Sequence, residues 1–347
     1  MPAGDGRVPV LIASWLEPEH ADRIAAAEPD RIELIYEPEL LPTAEYGADH
    51  HGPPRPLTDE QRARWRDQLE RAEVAFDFDW ERPQELLSRA PRLRWVQASS
   101  SGIGPLVEKL GLSGSPLLIT NAAGIHAQPL AEFVLLAALH FAKEMPRLTA
   151  WKAERHWERF CGCEVLGSRM VLIGLGKVGS RIAELSAALG IEVTGHRRTP
   201  GGQAPPGVAR IVDAAGLDAA LPEADLLVIA APDTPETAQL VDRRRLGLLP
   251  SHAVVVNVGR GSIVDEAALI ELLQAGRIRG AALDVFEREP LPADSPLWGM
   301  ANLIISPHSA STVVKENERL VDLFIENLHR YLDGRPLVNV FDCERRY

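Results

Sequence analysis

Three side chains that together could reduce a carbonyl stand in three separated motifs: Arg260 in NVGRG, Glu289 in DVFEREP and His308 in SPH. An arginine grips a carboxylate through two parallel hydrogen bonds, and a histidine titrating near neutrality passes a proton to or from a carbonyl oxygen. A carboxylate beside an imidazole fixes its orientation and favours its protonated form. Each residue alone has a plain explanation: a surface salt bridge for Arg260, a loop acid before proline for Glu289, a satisfied strand-end residue for His308. What joins them is their order behind a glycine loop.

That loop is GLGKVG at 174–179. It follows a strand-like run and opens a helical pattern, the context in which such a pattern binds a dinucleotide. Gly174 permits the tight turn, Gly176 lets a pyrophosphate approach the backbone, and Gly179 lets helix and sheet pack closely. The amides of the first helical residues, from Lys177 and Val178 on, then donate to the phosphates. The plainer reading is a doubly wound domain with an empty crevice.

The elements that must carry these residues come in two series. VPVLIAS, RIELIY, VAFDF, RWVQAS and PLLIT are short, often β-branched runs separated by helical or turn-rich stretches within about the first 120 residues. A second series begins at MVLIGLG and continues through IEVTGH, DLLVIAA, AVVVNVG, GAALDV and LIISPH. These runs are apolar on both faces, as strands of a covered parallel sheet must be. Arg260, Glu289 and His308 then follow the carboxyl ends of strands, where ligands bind in such sheets. Helices are predicted at 178–189 and at 265–275, the latter opened by Asp265 and Glu266 at the positive end of its dipole. The run 129–145 predicts one long helix, apolar on nearly all sides and buried, with Pro129 acceptable at its start. A last helix over about 312–333 ends at Gly334 and Pro336, and the strand-like LVNVF behind it is expected to return to the first domain.

At 347 residues the chain suggests about two domains, and its formal net charge of -12 disfavours a general nucleic-acid or acidic-membrane surface. Cys161, Cys163 and Cys343 are too few to staple such a chain and read as reduced thiols. The acidic start and the short apolar run behind it point to a cytoplasmic protein with no membrane partner. The loop YGADHHG at 46–52 could line a substrate entrance or offer Asp49, His50 and His51 to a metal, but a solvated loop is the expectation, and no metal is assigned.

The sequence resembles the D-isomer-specific 2-hydroxyacid dehydrogenases, through WVQASSSGIGPL, ITNAAGIHAQPLAE, VLIGLGKVGSRIA, APDTPETAQLVD, the long run from VVVNVGRGSIVDEAALIELL to DVFEREPLPADSPLW, and NLIISPHSAS. The resemblance covers nearly the whole chain. It implies an α/β fold of two Rossmann-like doubly wound domains with a cleft between them. A flavodoxin-like substrate domain is expected from 1–122 and 312–347, and an NAD(P)-binding Rossmann domain from 123–311. The catalytic roles carry over to Arg260, Glu289 and His308, with the family's spacing of 29 residues from Arg260 to Glu289. Arg260 would bind a 2-keto acid, and His308, held by Glu289, would protonate its carbonyl oxygen while nicotinamide delivers hydride. The backbone around Ser100, Ser101 and Gly102 corresponds to the family's carboxylate cradle, although Gly104 stands where relatives commonly have an acid. The cofactor set implied is Gly174, Gly176, Lys177, Val178, Gly179, His196, Arg197, Arg198, Thr199, Pro232, Thr237, Val258 and Asp284, with Asp284 bonding the carboxamide of the nicotinamide. A homodimer through 129–145 is expected, and Trp157 would either reach a neighbouring subunit's pocket or fill a core.

Other readings remain within the resemblance. Nucleotide-sensing corepressors keep the fold and even the triad, but would be expected to carry partner-binding extensions beyond the last helix. Formate dehydrogenases pair the histidine with glutamine, which Glu289 argues against. Phosphite oxidation keeps the glutamate, and a phosphoglycerate dehydrogenase with a regulatory tail is not expected. The stretch GHRRT at 195–199 bears on the cofactor. Counting 18 residues on from Gly179 places Arg197 where NAD-specific relatives carry an aspartate. Arg197 and Arg198 could meet the 2′-phosphate of NADP, which a carboxylate would repel. NADP(H) is therefore the preferred cofactor and NAD(H) the alternative.

Overall fold

Short β-branched runs fold here as parallel strands with both faces covered. The computed structural model describes residues 6–50, 52–198 and 202–343, and the chain divides into two compact units, Met1–Ile125 with Thr312–Tyr347, and His126–Ser311.

In the first unit β1 (Val8–Ile12), β2 (Ile32–Ile35), β3 (Val74–Phe76), β4 (Trp95–Gln97) and β5 (Leu118–Thr120) form a parallel sheet in the order β2-β1-β3-β4-β5. That is the flavodoxin-like order. The helix Glu316–Leu332 covers one face, burying Leu320, Val321, Phe324 and Leu328 at helical spacing. It starts four residues later than the pattern predicts. The tail behind Gly334 does return to this sheet, through Asn121 N to Asn339 O and Phe341 N to Ile119 O. It makes only an isolated antiparallel bridge, Thr120 to Val340, rather than the expected strand. The cause is local: Asn339 sits at φ 59°, in the left-handed region that breaks an extended run. Asn327 clamps the tail instead, its side chain bonding both the carbonyl and the amide of Val338.

The second unit holds β6 (Arg169–Ile173), β7 (Glu192–His196), β8 (Val208–Val212), β9 (Leu226–Ile229), β10 (Val254–Asn257), β11 (Gly280–Leu283) and β12 (Leu303–Ile305). All seven are parallel, in the order β12-β11-β10-β9-β6-β7-β8. Strand order reverses between β6 and β9, the switch point at which doubly wound sheets bind nucleotides. β9 and β10 are buried at every residue. β8 escapes the sequence pattern because it is the edge strand, with Ala209 and Arg210 exposed, so it lacks the continuous apolar run of a central strand.

The helix expected over 129–145 spans Ala127–Ala142, and a second begins at Met145. Pro146 explains the break, since a continuous helix would need its missing N–H to reach Ala142 O. Glu144 turns left-handed at φ 56°, and Ala142 O accepts from Cys163 N instead. Eight of the sixteen residues of the first helix are buried, but Leu136 and Leu139 are exposed in the single chain, so it is not buried all round. The helix predicted at 265–275 runs Glu266–Gln274, with the Asp265 side chain capping it through Ala268 N.

Candidate active site

The glycine loop stands at the switch point. Gly174 follows β6 at φ 97°, and a Cβ there would lie 2.7–2.8 Å from the backbone of Ala230 and Ala231, the loop after β9. A Cβ on Gly179 would fall 1.9 Å from Gly174 O, so helix and turn touch as close packing requires. Gly176 differs: a Cβ there meets no protein atom within 4 Å. Packing does not demand that glycine, whereas a phosphate approaching the backbone does. Gly176 is also the N-cap of the helix Lys177–Ala188, which has no side-chain cap, so this helix end suits an anion such as the pyrophosphate of a dinucleotide.

Arg260, Glu289 and His308 come from three adjacent strand ends. Asn257, Leu283 and Ile305 are in register across β10, β11 and β12. Arg260 and His308 each lie three residues beyond Asn257 and Ile305, and Glu289 six beyond Leu283. His308 Nδ1 bonds Glu289 Oε2 at 2.8 Å, while Phe286 N donates to Glu289 Oε1 at 3.0 Å. Both carboxylate oxygens are therefore committed, and the imidazole is held by its Nδ1 side. His308 itself sits at φ 55°, kept there by its amide's bond to Asp284 O at 2.9 Å.

Arg260 is fixed from behind. Asn257 Nδ2 donates to Arg260 O at 3.0 Å, Asn257 Oδ1 accepts from Gly259 N, and Arg260 Nη1 donates to Gly259 O at 2.7 Å. Gly261 packs so tightly on the next loop that a Cβ would lie 2.0 Å from the Phe286 carbonyl. The segment carrying Arg260 thus rests on the segment whose amide holds Glu289. Sequence reasoning missed Asn257 and Phe286, although both stand inside the motifs quoted for their neighbours. Asp284 is 2% exposed, and its Oδ1 accepts from Ser306 Oγ at 2.6 Å and Ala310 N at 2.8 Å.

The other expected cofactor residues are placed as follows. Pro232 and Thr237 lie on the loop after β9, where the Thr237 hydroxyl bonds Pro232 O at 2.7 Å and accepts from Thr234 N. Val258 follows β10 with a buried side chain, and Val178 lies in the first turn of the glycine-loop helix. His196 ends β7 and is also buried; burial, with Arg245 adding to it, pushes its imidazole below the ordinary value, so it is neutral at pH 7. Arg197 donates from Nη2 to Gln203 O at 3.2 Å, and its Nε is buried with no hydrogen-bond partner among the described residues. Arg198 is exposed and pairs with Glu236. Thr199 lies outside the described residues, as does His51.

Within the first unit, Ser100, Ser101 and Gly102 form the loop after β4, with Ser100 O accepting from Ala122 N. The 46–52 loop is solvated in part, with Tyr46 and Gly47 exposed, while Asp49 and His50 turn toward the protein. Asp49 is 7% exposed, its Oδ2 accepting from Glu45 N, and His50 bonds Ser14 Oγ at 3.0 Å through Nδ1 and Asn317 Oδ1 at 2.9 Å through Nε2. His50 thereby ties the loop to the segment after β1 and to the helix Glu316–Leu332. Among the described residues no group of three or more His, Cys, Asp or Glu could hold a metal, and no helix is long and apolar enough to cross a membrane.

A dinucleotide-type glycine loop at a switch point, in one sheet with an Arg, Glu and His row, defines the class as a nicotinamide-dependent oxidoreductase. Residues 135–310 match the family described as D-isomer specific 2-hydroxyacid dehydrogenase, NAD binding domain. A glyoxylate reductase of Aeropyrum pernix is 33% identical over 273 residues, covering 75% of this chain and 79% of that protein. A D-3-phosphoglycerate dehydrogenase of Mycobacterium bovis is 32% identical over 254 residues, 72% of this chain, and the match spans only 47% of that relative's length. Among solved structures, a D-isomer specific 2-hydroxyacid dehydrogenase from Xanthobacter autotrophicus Py2 in complex with NADPH and MES superposes with a TM-score of 0.76 at 29% identity, covering 99% of this chain and 100% of that one. An NADPH-dependent glyoxylate/hydroxypyruvate reductase from Sinorhizobium meliloti, in complex with NADP and sulfate, gives 0.75 at 27% identity over 98% and 100%. The chain belongs to the D-isomer specific 2-hydroxyacid dehydrogenase family. It is accordingly an NAD(P)-dependent oxidoreductase.

Proposed function

We propose that the protein is a 2-keto acid reductase, interconverting a small 2-keto acid and its D-2-hydroxy acid, with NADP(H) preferred over NAD(H). The observation that carries this reading is the bond from His308 Nδ1 to Glu289 Oε2 at 2.8 Å, on a strand end two places from that of Arg260. With Nδ1 committed to the carboxylate, Nε2 is the ring nitrogen that holds and delivers a proton. Arg260 binds the substrate's carboxylate and carbonyl oxygen. His308 protonates the carbonyl oxygen as it gains negative charge, and takes the proton back in the reverse direction. When bound, the reduced nicotinamide supplies the hydride. Gly174, Gly176, Lys177, Val178 and Gly179 would hold its pyrophosphate, and Asp284, with Oδ1 already bonded, would use Oδ2 toward the carboxamide. Glyoxylate and hydroxypyruvate, the substrates in the names of the relatives, are the first to try. Initial rates with NADPH and NADH against glyoxylate, hydroxypyruvate, pyruvate and branched 2-keto acids test the reading; no turnover of any of them would overturn it in favour of phosphite oxidation or a nucleotide-sensing role.

Arg197 carries the cofactor preference, because its buried Nε has no acceptor among the described residues and a 2′-phosphate would supply one. Arg197→Asp is expected to lower the NADPH-to-NADH ratio of kcat/KM by about ten-fold or more, the weight of one charge-assisted bond. An unchanged ratio would remove Arg197 from the phosphate site. A homodimer through 129–145 is part of the same proposal, supported by the exposed Leu136 and Leu139 and by Trp157, which at 95% exposure is not a core aromatic of this chain.

A further inference from the structure

Arg198 and Glu236 form an ion pair, Nη1 to Oε1 at 3.1 Å. Its two ends belong to different loops: Arg198 stands two residues past the end of β7, and Glu236 seven past the end of β9. In the sheet those strands are not neighbours, since β6 lies between them. Strand axes two places apart are roughly 10 Å from each other. The pair therefore joins the loops on either side of the glycine loop, whose Gly174 bonds His196 O at 3.2 Å and packs on Ala230 and Ala231. In a doubly wound sheet this is where the adenosine half of a dinucleotide lies, its ribose toward the loop after the second strand.

Glu236 is built to stay charged. Its own backbone amide and the Thr234 hydroxyl, ahead of Arg198, hold its carboxyl below the ordinary range. That loop is braced by the Thr237 hydroxyl on Thr234 N and Pro232 O, so Glu236 hangs from a fixed turn. An arginine paired with a carboxylate here meets, on cofactor binding, a 2′-phosphate that wants the same fork of N–H donors.

We propose that Glu236 is a specificity-determining residue that competes with the 2′-phosphate for Arg198 and so holds down the preference for NADP over NAD. The inference rests on the NADP reading above. Binding of NADP transfers Arg198 from Glu236 to the phosphate, whereas NAD leaves the pair intact. The exposed position of both side chains makes the competition modest, because surface pairs are weak.

The test is equilibrium binding of two half-cofactor probes, 2′,5′-ADP and 5′-AMP, by titration calorimetry, without turnover. Glu236→Gln is expected to tighten 2′,5′-ADP about two- to five-fold and leave 5′-AMP unchanged, the range that an exposed pair can contribute. In the Arg198→Ala background the same change is expected to do nothing to either probe. Equal tightening of both probes, no tightening of 2′,5′-ADP, or a gain that persists without Arg198 would each overturn the competition. If the unaltered protein binds 2′,5′-ADP no better than 5′-AMP, the NADP reading falls and takes this inference with it. If that preference stands and Glu236→Gln is silent, only the competition fails.

Discussion

His308→Ala is expected to lower kcat for 2-keto acid reduction by about 10²- to 10⁴-fold, the usual contribution of a placed general acid, with binding of 2′,5′-ADP unchanged. The two readouts separate because the imidazole and the nucleotide loop belong to different strand ends: His308 follows β12, and Gly174 to Gly179 follow β6, four places away in the sheet. The side chain is half exposed, so its loss leaves no cavity, and thermal unfolding should barely move. The one structural concern is the backbone at φ 55°, which a β-carbon tolerates poorly and which asparagine tolerates best after glycine. His308→Asn therefore serves as the second variant, keeping the turn while lacking the imidazole. Turnover at the original rate in either variant, with normal folding, would remove His308 from the chemistry.

How far the sequence could be read follows from what each signal depends on. The central strands were legible because burial on both faces leaves continuous apolar runs, as in LLVI of β9 and VVVN of β10. β8 was not, since an edge strand with two exposed positions carries no such run. The run 129–145 reads as one helix, whereas the helix stops at Ala142 and a second begins at Met145. The glycine loop, Arg260, Glu289 and His308 were legible because each must stand at a fixed distance past a strand end, and spacing survives in the sequence. What spacing does not encode is contact across the sheet. The pair between Arg198 and Glu236 joins residues by strand order, which only the fold supplies, while the amide of Phe286 on Glu289 and the bracing of Arg260 by Asn257, each between residues three apart, depend on how the loops turn. The 46–52 loop shows the same limit from the other side. Its composition is that of a solvated turn, but His50 finds Ser14 and Asn317, the latter 267 positions away.

Arg260 bears the second large effect. Its side chain is aimed by bonds that do not involve substrate, Nη1 to Gly259 O and Asn257 Nδ2 to Arg260 O, and Gly261 behind it admits no β-carbon. A guanidinium positioned this way loses little freedom when it takes up a carboxylate, so most of its interaction reaches the bound state. Two charge-assisted bonds, each about 1.5–3 kcal/mol, convert at about 1.36 kcal/mol per decade to roughly 10²- to 10⁴-fold. Arg260→Ala is expected to lower kcat/KM for the 2-keto acid by that factor, with 2′,5′-ADP binding intact. Arg260→Lys should recover only part of it, because a lysine keeps the charge but lacks the planar fork that meets carboxylate and carbonyl oxygen together. The division between KM and kcat is informative in itself. If Arg260 only anchors the carboxylate, the loss lies in KM; if it also polarises the carbonyl, kcat falls as well, since that bond strengthens as the oxygen gains charge. A variant that keeps kcat/KM for every 2-keto acid tried would show that the substrate is held elsewhere, and the row of Arg260, Glu289 and His308 would lose its first member.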